Sequence, residues 1–352
     1  MASPSTSSAR AGDSDEDNRR SHPDARNTYG RREPGRRLRI LARKEFTDAL
    51  PNRLVVVALV LLLALTLIAV GLGAASVHTK LAEYNQTVAL LKSLGRTEIP
   101  PMPSLNPIAV SKNFINYLAM VGALLAMVLG FTTVRKEREG GTLGHILSRP
   151  VYRDQLLTGK ILGNAAILGV LMIAVGAVTA LALALVGGVP LTLVQIDKLA
   201  FTMVMSWLYM LVFFLLAMFF SLWLPKGNQA LLLTIIVWLV FAFIFPQIGD
   251  TMDLDNQLPG GFFATLGMNK TQETAALLQF KWYEKLRDGV EELSPTKHYE
   301  RISFALLGIK TEFANTKPAE IIRLKAVNVV GLLVPIVLLI GGSYVVFLRQ
   351  ES

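Results

Sequence analysis

Side chains able to do covalent or proton-transfer chemistry are few and scattered along this 352-residue chain. There are four histidines, His22, His78, His145 and His298, far apart in sequence, and no cysteine. Thiolate catalysis, disulfides and cysteine-ligated metals are therefore excluded. No HExxH pair, GxxxxGK[ST] phosphate loop or paired aspartate within an apolar run supplies a metal, a nucleotide or an acid–base couple. The histidines read as solvated loop residues, and neither a metal site nor a catalytic residue is expected. The chain is not expected to be an enzyme. What the sequence does offer is recognition. The stretch EREGGTLGHILSRP (137–150) carries Leu143, Ile146 and Leu147 at helical spacing, with Glu139 and Arg149 at its flanks. Gly140 and Gly141 end the preceding helix, Thr142 caps a new one, and Pro150 closes it. Such a short amphipathic helix fits a hydrophobic groove on a partner. Taken alone, its residues fit a loop helix resting on lipid headgroups better.

The elements that must position this stretch are membrane spans. Hydrophobic residues make up 52% of the chain and charged residues 17%, against about a quarter charged in a soluble domain. The apolar residues come in long runs, which defines an all-α integral membrane protein. Six spans are predicted near Leu54–Val77, Phe114–Val134, Leu156–Val186, Leu199–Leu224, Gln229–Pro246 and Ala326–Leu348. Residues 1–37 are Ser-, Arg-, Asp- and Pro-rich and are predicted to be a disordered tail. In 38–50, Leu38, Leu41 and Phe46 share one helical face while Arg39, Arg43 and Lys44 point elsewhere, as in an interfacial elbow helix. Residues 51–348 are then one six-helix transmembrane domain, followed by a short C-terminus, 349–352.

Lysine and arginine set the orientation. Arg36, Arg37, Arg39, Arg43, Lys44 and Arg53 precede span one, and Arg135, Lys136, Arg138, Arg149, Arg153 and Lys160 flank the loop between spans two and three. Both termini and the 135–155 loop are therefore expected in the cytoplasm, in a plasma or bacterial inner membrane. Loops 78–113 and 247–325 fall outside. The latter is long enough for a small external domain, with a helix around Gln272–Gly289 and a turn at Ser294–Pro295. Most of the +9 net charge flanks spans, so the basic balance points to lipid surface and not to nucleic acid.

Span interiors hold no Asp, Glu, Lys, Arg or His, which argues against ion-coupled transport. With no nucleotide loop of its own, a transporter of this kind needs a partner acting from the cytoplasm. Here three strings resemble one family. RKEREGGTLGHILSRPVYRDQLLTGKILG (135–163) is similar to the first cytoplasmic loop of ABC-2-type exporter permeases, matching at Glu137 or Glu139, Gly141, Thr142, Leu143, Ile146, Leu147, Ser148, Pro150, Val151, Arg153, Leu157, Gly159 and Lys160. ARKEFTDALPNR (42–53) resembles the family's segment before span one. ELSPTKHYERI (292–302) resembles its L-[SN]-P-x-x-x-[FY] element before span six. The nearest subgroup holds the nitrous-oxide-reductase copper-maturation permease and the gliding-motility and sodium-export permeases.

The resemblance implies six helices, an elbow helix, a homodimer, and two separately encoded ABC ATPase subunits that hold ATP and Mg. It implies that Glu139, Gly140, Gly141, Thr142, Leu143, Ile146, Leu147, Arg149 and Pro150 form a coupling helix gripped by the ATPase. It further implies that the stroke drives export or passes to an external or periplasmic protein, with the loop bearing Ser294, Pro295 and Tyr299 as its contact. The alternative is a non-transporting scaffold that recruits partners through its tail and external loop.

Overall fold

A computed structural model describes residues 34–49, 53–96, 108, 112–139, 153–187, 191–253, 262–279, 281–309 and 311–349. Every regular element among them is helical. Helix α1 (Pro34–Ala49) precedes α2 (Arg53–Ser93). Span two is α3 (Lys112–Tyr117), a π-helical turn (Leu118–Gly122) and α4 (Ala123–Glu139). Spans three and four are α5 (Arg153–Gly187) and α6 (Leu193–Trp223). Span five is α7 (Gly227–Leu239), a second π turn (Val240–Ile244) and α8 (Phe245–Met252). After the short α9 (Phe262–Thr265) come α10 (Lys270–Gln279), α11 (Lys281–Glu292) and α12 (Pro295–Leu306). A 3-10 turn (Thr311–Phe313) and α13 (Pro318–Leu324) lead into span six, α14 (Ala326–Arg349).

All six expected spans are present as helices long and apolar enough to cross a membrane. An even number of crossings returns the chain to the side from which it entered. That side, bearing α1 and the end of α14, is called the near side below, and the opposite one the far side.

Span two runs on to Glu139 and span four starts at Leu193, and two further boundaries differ from expectation for physical reasons. Span one does not stop at Val77, because HTKLAEYNQTVALLKS (78–93) contains neither glycine nor proline and is rich in good helix formers. The resulting 41 residues measure about 60 Å at 1.5 Å per residue, so the helix projects well past a bilayer core of about 30 Å. Span five does not stop at Pro246 either. Proline lacks an N–H and crowds the carbonyl four residues back, and the π turn at Val240–Ile244 shifts the ladder just where that conflict would arise.

The core centres on α6, where Tyr209–Leu215, Ala217 and Met218 are all buried. Small residues permit this. A Cβ placed on Gly130 of α4 would lie 2.2 Å from the Phe214 carbonyl oxygen, and one on Gly176 of α5 would lie 2.8 Å from Met203 Cγ. Backbones therefore meet directly, the packing mode that replaces hydrophobic exclusion between helices in lipid. Large apolar side chains face outward instead, among them Val57, Val60, Ile173, Leu185, Val337 and Leu338.

The segment expected as a separate external domain is divided. Helix is present within Gln272–Gly289, as α10 and α11. Helix α12, by contrast, joins the bundle itself: Tyr299, Ile302, Leu306 and Leu307 belong to the same apolar core as the spans.

Candidate functional site

On the near side, α4 ends at Glu139 and α5 begins at Arg153. The recognition stretch joins these two helix ends in sequence. Gly140, Gly141, Thr142, Leu143, Ile146, Leu147, Arg149 and Pro150 lie outside the described residues, and Glu139 is described only as the last residue of α4.

Helix α1 starts four residues before the expected Leu38. Leu38, Leu41, Ala42 and Phe46 are half-buried and Arg39, Arg43 and Lys44 are exposed, which is the two-faced pattern read from the sequence. The half-buried face is turned onto α5. A Cβ on Gly159 would lie 2.8 Å from Leu41 Cβ, and one on Gly163 would lie 2.6 Å from Glu45 Cβ. Between these glycines Lys160 reaches back, its Nζ donating to Glu45 Oε1 at 3.1 Å. Two residues before Lys160, Thr158 hydrogen-bonds with the Tyr344 hydroxyl of α14. Further along, Trp207 Nε1 donates to the Ala165 carbonyl at 2.8 Å. The start of span three is thus tied to α1, to span four and to span six.

On the far side, α12 is the hub. Ser294 is its N-cap and accepts from the Lys297 N–H, with Pro295 in the first turn, a position whose missing N–H needs no partner. Ser294 Oγ also donates to the Phe241 carbonyl inside the π turn of span five. Tyr299 stacks on Tyr209 of span four, with ring centroids 4.5 Å apart. The Tyr209 hydroxyl donates to the Ala119 carbonyl, 2.8 Å away in the π turn of span two, and Thr296 donates to Tyr209 at 3.2 Å. Both π turns therefore present a carbonyl to a side-chain hydroxyl, a common accompaniment of a disturbed helical ladder. Tyr299 in turn donates to Ser206 Oγ at 2.9 Å, because the Ser206 hydrogen is committed to the Thr202 carbonyl at 2.8 Å.

His298 is not the solvated loop residue expected from sequence. It is buried, its Nε2–H donating to the Glu292 carbonyl at 2.8 Å and its Nδ1 lying 3.1 Å from the Asn328 side-chain amide of span six. Its ring rests on Gly331, where a Cβ would overlap it at 2.3 Å. Lys198, 1% exposed, donates from Nζ to the carbonyls of Phe313 (2.8 Å) and Ala314 (2.7 Å), fixing the chain beyond α12 to span four.

Ser294, Pro295 and Tyr299, expected to face an external protein, are themselves buried. They build the hub, and the faces turned outward belong to α10 and α11. A charged rim surrounds the hub. Lys297 pairs with Asp250 at 3.2 Å, and Arg301 pairs with Glu291. Beside them, burial holds the Glu300 carboxyl above its ordinary value. Lys297 opposes that shift, and Asp250 and Glu291 add to it. Among the described residues no three His, Asp or Glu side chains gather so as to hold a metal ion.

Sequence reasoning missed Glu45, Tyr209, His298 and Asn328 as structural partners. Glu45 and Lys160 both lay inside strings already matched to the family, but no spacing argument joins residues 115 positions apart.

Six apolar helices packed through glycine contacts define a multi-pass membrane protein. The family model of ABC-2 family transporter proteins matches residues 39–352, and the chain belongs to that family. It is similar to a protein of Stutzerimonas stutzeri described as a probable ABC transporter permease protein NosY. The two are 30% identical over 209 residues, covering 59% of this chain and 67% of the relative. A protein of Pseudomonas aeruginosa with the same description is 33% identical over 132 residues, covering 36% of this chain and 38% of the relative. The chain is therefore a membrane permease of the ABC-transporter class.

Proposed function

We propose that this permease converts ATP hydrolysis by separate cytoplasmic ABC ATPase subunits into movement of spans two and three, through a coupling helix in the 140–152 loop. The supporting observation is geometric. The two helices bounding the loop are spans two and three themselves, so a push on the loop is delivered to their ends. Lys and Arg cluster at these helix ends, which puts the near side in the cytoplasm by the positive-inside tendency. Leu143, Ile146 and Leu147 are the residues assigned to the ATPase groove, with Glu139 and Arg149 at its rim and Gly140, Gly141, Thr142 and Pro150 setting the helix ends. Two ATPase subunits, holding ATP and Mg, act on a pair of permease copies. Spans five and six, whose apolar faces are largely uncovered, supply surface for lipid and for the second copy. On the far side the stroke arrives at the α12 hub, from which it drives export or passes to an external protein.

The test is mild-detergent affinity isolation of the chain followed by mass spectrometry, with and without Leu143→Asp, Ile146→Asp and Leu147→Asp together. A Walker-motif ATPase that accompanies the native chain and is lost from the variant is the expected result. A stable variant, with no ATPase on either form, would overturn the proposal in favour of a scaffold.

A further inference from the structure

We infer that Glu45 and Lys160 are positioning residues that make α1 and the first three turns of α5 a single rigid lever for the stroke delivered at 140–152. The inference rests on the coupling role proposed above and goes beyond it by naming the part of the chain that first moves.

Location comes first. Lys160 lies seven residues into α5 from Arg153, about 10 Å along the helix axis at 1.5 Å per residue, so it is within two turns of the loop. Contact comes next. Gly159 and Gly163 are one turn apart on α5, and α1 lies against their bare backbone at Leu41, Ala42 and Glu45. Any side chain larger than hydrogen at either position would push α1 away. The register of α1 on α5 is thereby fixed along both axes.

The ion pair locks that register. Its Nζ–Oε1 separation is 3.1 Å, with the Lys160 side chain 8% exposed and that of Glu45 23%. A pair this sheltered is screened little by salt. The rest of α1 is suited to moving as a body. Arg39, Arg43 and Lys44 lie on its exposed face, a face suited to anionic headgroups. Three residues, 50–52, then join α1 to span one. A push on the loop therefore turns α5 and carries α1 with it. Were the pair absent, α1 would remain an anchor in the interface while span three moved beneath it.

Two measurements test this on the assembled complex in phosphatidylethanolamine–phosphatidylglycerol vesicles. The first is ATP hydrolysis per copy of co-purified ATPase, for the native chain, Glu45→Gln, Lys160→Gln, Lys160→Arg and the exchange Glu45→Lys with Lys160→Glu. The ATPase should accompany every form. Permease-stimulated hydrolysis should fall at least fivefold in the two Gln variants and stay within twofold of native in Lys160→Arg and in the exchange. Native hydrolysis in either Gln variant, or an exchange no better than the single changes, would overturn the inference. No ATPase with the native chain would overturn the coupling role itself, and the inference with it.

The second uses the absence of cysteine in this chain: Arg39→Cys on α1 and Asp154→Cys on α5 carry one pair of spin labels per copy, with labelled permease diluted by unlabelled copies and a cysteine-free ATPase. A rigid lever predicts one narrow distance, unchanged between the nucleotide-free complex and the complex with a non-hydrolysable ATP analogue, and broadened by Glu45→Gln. A distance in the otherwise native chain that shifts with nucleotide would overturn it. This readout stands even where a single variant assembles poorly.

Discussion

Removing one hydroxyl from each of the two stacked tyrosines should have unequal consequences, because the hydrogens in the α12 hub are committed in a fixed direction. The Ala119 carbonyl only accepts, so the Tyr209 hydrogen goes there, and Thr296 must donate to Tyr209. Tyr209→Phe therefore takes a partner from the Ala119 carbonyl and strands the Thr296 hydroxyl in a site where Thr296 is 3% exposed. A lost hydrogen bond is worth about 1 kcal/mol and a stranded buried donor about 1–3 kcal/mol, a combined loss of about 2–4 kcal/mol. Tyr299→Phe removes the donor to Ser206, which keeps its own bond to the Thr202 carbonyl. That loss is about 1 kcal/mol. Both changes preserve the rings and their stacking, so packing drops out of the comparison. Thermal unfolding in one detergent, at one scan rate, followed by tryptophan fluorescence, should place Tyr209→Phe clearly below Tyr299→Phe. Equal midpoints, or the reverse order, would refute the assigned donor directions and with them the role of the span-two π turn as an anchor for α12.

Gly130→Ala should separate spans two and four, since its methyl would meet the Phe214 carbonyl at 2.2 Å. Overpacking of that kind costs about 1–3 kcal/mol, read as a lowered unfolding midpoint, whereas Gly71→Ala, with nothing within 4 Å, should not lower it. Gly331→Ala should displace the His298 ring and free α12 from span six, detected as faster proteolysis between α11 and α13. The raised Glu300 value gives a pH signature. An acid that holds its proton more tightly folded than unfolded favours the fold at low pH, and that contribution is lost as pH rises from its ordinary 4.5 through the raised value. Glu300→Gln should therefore match the native chain in acid and be the more stable of the two at neutral pH. A native advantage at neutral pH would contradict the burial argument.

The six spans were legible because their apolar runs are long enough to exclude any other reading. The turn read at Ser294–Pro295 is present, as the cap and first residue of α12. Partners were not legible. Tyr299 meets Ser206, and Lys198 meets Phe313, across 93 and 115 residues, and no local period records such a meeting. The error at His298 has the same origin. Its sequence neighbours Lys297 and Glu300 suggest a solvated stretch, but α12 is amphipathic, and His298 lies on the face turned toward span six. Pro246 misled for a different reason. Its chemistry does end an ordinary α-helix, and only the preceding π turn, which carries no compositional mark, lets span five continue to Met252. The glycines at 159 and 163 were read as part of a family string, and their use as a seat for α1 emerged only when the two helices were placed together.

The most direct test of the account is whether nucleotide moves the ends of spans two and three. Labels at Arg135→Cys and Asp154→Cys, both exposed positions on the helices bounding the loop, report that separation when labelled permease is diluted with unlabelled copies and the ATPase is cysteine-free. In the complex with its ATPase, the distance should change when a non-hydrolysable ATP analogue is added, and it should not change once Leu143, Ile146 and Leu147 are replaced by aspartate. An ATPase that binds nucleotide on the complex while the native distance stays fixed would contradict the claim that the stroke enters through this loop.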